Sequence, residues 1–145
     1  MKTVHELAVE LKNAPGALSD VVEMLTSAGI KILGLSARIE GDIGIASLVT
    51  NDPSRAFNML ETAGYKVSTR DILVVEVPHH PGGMTAILKP LKLASVNVQN
   101  IYFLRCSMIM GAAQIMALKV DDCEKASEAL SEEWIRMLGD EIYNW

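Results

Sequence analysis

Two Pro-Gly pairs, Pro15-Gly16 in "LKNAPGALSD" and Pro81-Gly82 in "VPHHPGGMTA", each follow an alternating apolar run and precede a helical pattern. The residue types suit the capture of a small anion. Pro15 and Pro81 have fixed φ and fit the first turn of a helix, where a missing N–H costs nothing. Ala14 and His80, each preceding a proline, are held towards extended backbone. Gly16 and Gly82 carry no side chain, so a ligand or another backbone can approach closely. The N–H groups of Gly16, Ala17 and Leu18, and of Gly82, Gly83 and Met84, then point out of a helix start. The positive end of the helix dipole stands behind them, which makes a cradle for a carboxylate. Asn13 stands beside the first cradle with an amide that both donates and accepts. An amino acid needs both, for its carboxylate and its ammonium. The same residues also build an ordinary tight strand-to-helix turn, and both readings stand at this point.

Other groups carry less. His79 and His80 with Cys106, Met108 and Met110 suggest a soft-metal site, but adjacent histidines at a strand end point in different directions. Cys106 has no orienting histidine near it in sequence, so it makes a poor nucleophile. Met108, Met110 and Met116 share one strand face and read as a Met-lined core or interface. No Ser/His/Asp arrangement, carboxylate pair or Gly-rich phosphate motif is present. The expectation is no enzyme, no metal and no cofactor.

The elements that hold these turns occur twice. Pro15 and Pro81 are 66 positions apart, and the offset carries Leu7 to Leu73, Val9 to Val75, Leu25 to Leu91 and Ile30 to Val96. It drifts later, where Ala56 and Leu60 match Ala126 and Leu130. In "VHELAVELK" His5, Leu7, Val9 and Leu11 alternate with polar residues or alanine, as in a half-buried strand. Leu18, Val21, Val22, Leu25 and Ala28 have helical spacing, with Gly29 as a stop. Residues 30–39 and 43–50 predict a hairpin across "EGD". Asp52-Pro53 caps a second helix running to about Ala63, and "YKVST" is a fourth strand. The second copy predicts a strand over 71–77, a helix over 83–94, strands over 96–105 and 109–119, a helix over 122–132 and a short strand near 134–138. Pro90 inside its first helix predicts a kink or a shorter helix. The fold class is therefore α+β: two ferredoxin-like βαββαβ units, residues 1–69 and 70–145, with antiparallel sheets and helices on one face. Both faces of the middle strands are apolar, which predicts cover by the sister domain, a second chain or both. A homodimer follows.

Half of the chain is hydrophobic and its net charge is −5, which describes a globular protein with an acidic surface, not one drawn to phosphate backbones. No nucleic acid partner is expected. There is no apolar run of membrane-spanning length, so no membrane partner, and "MKTVHELAVELK" does not read as a secretory signal. Cys106 and Cys123 then read as reduced thiols in a cytoplasmic protein.

A βαββαβ unit whose first turn reads "NAPG", followed by "ALSDVVEMLTSAGIKILGLSA", resembles the ACT domain. Asn13, Pro15, Gly16 and Leu18 match the family motif, and Pro81 and Gly82 match in the second copy. The second copy departs with His79 at the Asn position, Gly83 next after the pair and Met84 in place of Leu. The resemblance covers almost the whole chain, as two ACT-like units. It implies a regulatory module that binds an amino acid or similar small ligand at domain interfaces, held by this turn and a facing second strand. Selectivity would then come from Ile30, Ile32 and Leu33 in one copy and Asn97, Gln99 and Asn100 in the other. A second reading is a regulatory subunit that docks on a separately encoded amino-acid biosynthetic enzyme. A small phosphatase on this fold would need an arginine at the anion cradle, and the turns carry none.

Overall fold

The computed structural model describes residues 1–105 and 114–145. The expectations for Cys106, Met108 and Met110, and for the first part of the 109–119 strand, lie outside the described residues. The chain divides into two compact units, His5–Arg70 and Asp71–Trp145 with Met1–Val4.

In the first unit the elements are β1 (Val4–Lys12), α1 (Ala17–Ser27), β2 (Ile32–Glu40), β3 (Ile43–Thr50) and α2 (Pro53–Thr62), then the start of β4 (Val67–Val77). β3 lies antiparallel between β1 and β2, with Leu7 opposite Leu48 and Leu35 opposite Leu48 on the other side. On the far side of β1 the Glu10 N–H donates to the Lys66 carbonyl at 2.9 Å. α1 and α2 lie beside each other and share one core with Leu7, Val9, Ala46 and Leu48 of the sheet. Each fully buried leucine there, such as Leu25 or Leu60, contributes about 2 kcal/mol of transfer free energy. Asp52 starts α2 by accepting from the Arg55 N–H at 3.2 Å, with Pro53 at the first helical position.

The second unit repeats the order with β4 in the place of β1. α3 (Gly83–Leu93), β5 (Val98–Leu104), β6 (Gln114–Val120), α4 (Cys123–Glu132) and β7 (Met137–Leu138) follow. β6 lies antiparallel between β4 and β5, and β7 adds antiparallel to the other edge of β4. Asp122 caps α4 as Asp52 caps α2, accepting from the Lys125 N–H at 3.0 Å. The sequence places a fourth strand at 65–69 and another at 71–77; the structure runs one strand, β4, through both. Pro90 does not shorten α3, which has 11 residues like α1. Pro90 removes one hydrogen bond, the one its N–H would have donated to the Ala86 carbonyl, and its own carbonyl still accepts from Ala94 N at 3.0 Å. After β7 a short 3-10 helix, Asp140–Asn144, buries Ile142.

Register locates the drift of the repeat. Leu35 pairs with Leu48, 13 positions on, whereas Ile101 pairs with Leu118, 17 positions on. Four residues have therefore been added between β5 and β6. Burial departs from simple alternation: Glu6 is fully buried, and so are Val49, Ile72, Val74 and Ala117 on the strand faces turned away from the helices.

Candidate functional site

The two Pro-Gly turns are the same object bond for bond. In the first, Ala17 N–H donates to the Ala14 carbonyl at 3.3 Å, and Gly16 has φ 86° and ψ −12°. In the second, Gly83 N–H donates to the His80 carbonyl at 2.9 Å, and Gly82 has φ 90° and ψ 3°. Proline at the second position and a positive φ at the third define a type II turn, which explains both residue types without a ligand. Nothing lies within 4 Å of where a Gly16 or Gly82 Cβ would stand, so conformation, not space, requires glycine. The turn also uses two of the amides expected to be free, those of Ala17 and Gly83. Among the described residues the N–H groups of Gly16 and Leu18 form no bond.

Around the first turn the sheet extends past the start of α1 and leaves a cleft of about 190 Å³. Its floor follows from register. Leu11 and Ile39 both pair with Gly44, and Ala37 pairs with Ala46, so all five strand positions share the sheet face that α1 covers. Lys12, Asn13, Ala14, Ala17 and Leu18 close the other side. Gly44 is what keeps the floor low: a Cβ there would stand 3.5 Å from Leu11 Cβ and 3.6 Å from Ile39 Cδ1, in ordinary contact. At the rim Arg38 is held by Glu40, with Nε and Nη2 each 3.1 Å from Oε1. Lys12 has no ion pair among the described residues, and the Asn13 amide forms no hydrogen bond. One uncompensated cation, the α1 N-terminus and a free amide therefore stand at the mouth of an apolar slot. Such a slot favours a small molecule with a carboxylate at one end and an apolar body.

The second turn differs where it matters. Gly83 stands in the place of Ala17, and a Cβ there would run into the Pro78 carbonyl, so this turn folds closer on its strand. Gln114 takes the register position of Gly44, opposite Val77 as Gly44 is opposite Leu11. His79 and His80 are exposed, and His80 Nδ1 lies 2.8 Å from the Pro81 carbonyl, so that nitrogen carries the proton.

A family model described as an ACT domain pair matches residues 2–143. The chain belongs to this family. ACT domains are regulatory modules. Among solved structures the chain is similar to protein BT0572 from Bacteroides thetaiotaomicron, at 22% identity with a TM-score of 0.87, over 99% of this chain and 98% of that one. It is also similar to the ligand-free regulatory subunit of aspartate kinase from Thermus thermophilus, at 13% identity with a TM-score of 0.62, over 90% of each chain. The regulatory subunit of aspartate kinase from Thermus flavus matches at 16% identity with a TM-score of 0.56, over 92% of this chain and 97% of that one. At these identities the likeness is one of fold. No curated protein matches the chain.

In the first ACT unit Asn13, Ala14, Ala17 and Leu18 line the cleft, and Pro15 and Gly16 are exposed on the turn between them. Ile30 and Ile32 do not join them within this unit. Ile32 pairs with Thr50 at the other end of β3, and Ile30 is buried in the core beneath α1. The cause is strand direction: β1 and β2 both run antiparallel to β3, so the start of β2 lies with the start of β1, not with its end. In the second ACT unit Asn97 donates its N–H to Asp121 Oδ1 at 3.0 Å, as Lys31 donates to Asn51 Oδ1 at 2.9 Å. Asn100 sits at the irregularity in β5, its Oδ1 accepting from Ile101 N–H at 2.9 Å. Met84 is 39% exposed at the start of α3. Sequence reasoning missed Gly44, Ala37, Arg38 and Ile39. The signal for Gly44 is a glycine inside an otherwise mostly apolar strand, which marks a close approach.

Proposed function

We infer that this ACT domain pair is a regulatory protein that binds an amino acid or a similarly small carboxylate in the cleft at Asn13. The cleft itself carries the reading: about 190 Å³, an apolar floor, and Lys12, Asn13 and the α1 N-terminus at one end. A space of this size suits a small molecule. The ligand acts through its different affinity for the states of the protein, and passes that difference on without chemistry of its own. The second turn, with His79, His80, Pro81, Gly82, Gly83 and Met84, is a poorer version of the same site, because Gln114 and the tight Gly83 contact take its room. A second reading, a regulatory subunit docked on a separately encoded biosynthetic enzyme, is favoured by the fold shared with the regulatory subunit of aspartate kinase from Thermus thermophilus.

A thermal-shift screen against the twenty amino acids tests the first reading, run on the wild type and on Asn13→Ala. An amino acid that raises the wild-type melting temperature and fails on Asn13→Ala supports it. No response to any amino acid overturns the amino-acid reading and leaves only other small carboxylates for the cleft.

A further inference from the structure

We propose that the outer face of the second helical pair, α3 together with α4 and the residue after its cap, is where two copies of this chain associate about a two-fold axis. The duplication supplies the control. At the end of α2 the left-handed position is filled by Gly64, with φ 91°. At the end of α4 the same position is filled by Trp134, with φ 58° and 94% of its surface exposed. Tryptophan is a poor choice on both counts: its backbone is strained there and its ring lies in water. At the end of α3 Leu93 is 74% exposed where α1 has Ser27. Between the two ends runs a groove of about 440 Å³ lined by Ala86, Lys89, Pro90, Leu93, Glu133 and Ile135. Glu133 and Ile135 are the neighbours of Trp134. The residues differ from those of the first copy: Lys89 replaces Glu23 and Pro90 replaces Met24.

The charges say what covers the patch. α3 carries Lys89 and Lys92 and no acid. α4 carries Glu124, Glu128 and Glu132 one turn apart along a single stripe, with Lys125 beside it. Like charges at this spacing repel within their own helix. Among the described residues none of these five charges has an ion pair in the protomer. A two-fold interface brings a patch against itself, so it needs the two halves of that patch to be opposite in sign. α3 and α4 meet that condition, and turning one copy over the other sets each lysine pair against a glutamate stripe. α1 and α2 do not meet it, since α1 is acidic with Asp20 and Glu23 while α2 mixes Arg55 with Glu61. Trp134 and Leu93 supply the apolar anchors that stable interfaces place in grooves.

The test is the oligomeric state of the full chain by sedimentation across the micromolar range. The expected result is a concentration-dependent dimer that salt weakens, with a blue-shifted tryptophan emission on association. Trp134→Gly with Leu93→Ser gives the patch the first copy's own residues and should weaken the dimer roughly a hundredfold or more. Glycine is at ease at φ 58°, so at a concentration where both chains are monomeric the melting temperature of this variant should not fall, which separates lost association from lost folding. Lys89→Glu with Lys92→Glu should be monomeric, and so should Glu128→Lys with Glu132→Lys. Mixed together, these two variants should form a one-to-one dimer. A wild-type chain that stays monomeric overturns the proposal. So does a dimer indifferent to Trp134→Gly with Leu93→Ser, or a charge-swapped pair that fails to associate, as a foreign partner for this face would give.

Discussion

Replacing Gly44 with valine separates the cleft from the fold. Gly44 is not held in the left-handed region, and a Cβ there meets only ordinary contacts, 3.5 Å from Leu11 Cβ and 3.7 Å from the Arg38 carbonyl. Valine suits a strand, and a side chain in place of glycine narrows the unfolded ensemble, a gain of about 0.4–1 kcal/mol. The unliganded variant should therefore melt no lower than the wild type. Its isopropyl group would stand on the cleft floor and remove the room a ligand needs. A ligand at a hundred times its dissociation constant stabilises by ~2.7 kcal/mol, roughly 9 °C for a chain of this length unfolding as one. The expected pair of results is an unchanged or raised melting temperature without ligand, and loss of that rise with it. A variant that keeps the whole ligand response places the ligand elsewhere. A variant that melts well below the wild type without ligand refutes the claim that the floor has space for a side chain.

Gly16→Ala and Gly82→Ala should each lower stability by about 1 kcal/mol. Left-handed strain of roughly 1–2 kcal/mol is offset in part by the gain from removing glycine, and chemical denaturation with an unchanged m-value would show it. Glu141 should contribute stability that acid removes. Its side chain is partly desolvated, which alone raises its pKa, but its own N–H, the Gly139 N–H at 2.9 Å, Lys2 and Arg136 outweigh this and hold the carboxyl below its usual value. A depressed carboxyl stabilises above its unfolded pKa and loses that contribution as pH falls through the folded one. Glu141→Gln should therefore melt slightly below the wild type at neutral pH, and the gap should close as the pH falls through the carboxyl's lowered folded value. A gap that persists below that value would mean the charge was not its source.

What could be read from the sequence was what repeats. Pro15-Gly16 and Pro81-Gly82 announced the two turns because only a type II turn wants both residues, and Asp52 announced its helix by the same local logic. Positions that depend on partners across the sheet were silent. Alternation put Glu6 on a polar face, yet it is fully buried. Within their own unit Ile30 and Ile32 lie at the far end of the sheet from the turn, because of strand direction, which alternation does not report. Gly44 lacked any signal beyond being a glycine in a strand, since its importance is the absence of a side chain opposite Leu11. Trp134 stood out only once the repeat aligned it with Gly64, which makes an exposed tryptophan at positive φ a departure from a known alternative.

The two copies thus serve as each other's reference. They agree at the core leucines, at the capping aspartates and at the hydrogen bonds of both turns, where the fold alone accounts for the residues. Among their disagreements, which include Ser95 at the left-handed position of Gly29 and Ile72 in the place of Glu6, two bear on the cleft and on the outer helical face. One is the end of the sheet past the first helix, where Gly44 becomes Gln114, Ala17 becomes Gly83 and the hairpin gains four residues. The other is the outer end of the helical pair, where Gly64 becomes Trp134 and Ser27 becomes Leu93. Neither change improves the unit that carries it: a larger residue on the floor closes a cleft, and a tryptophan at positive φ adds strain. Changes of this kind, which cost the isolated unit something, point to what each unit meets outside itself. On this argument the first copy kept the room for a small ligand and the second gave up that room and took on a surface for association. The variants at Gly44 and Trp134 should then affect different observables, the first ligand response without oligomeric state, the second oligomeric state before ligand response. A single variant that moved both equally would show the two sites to be one.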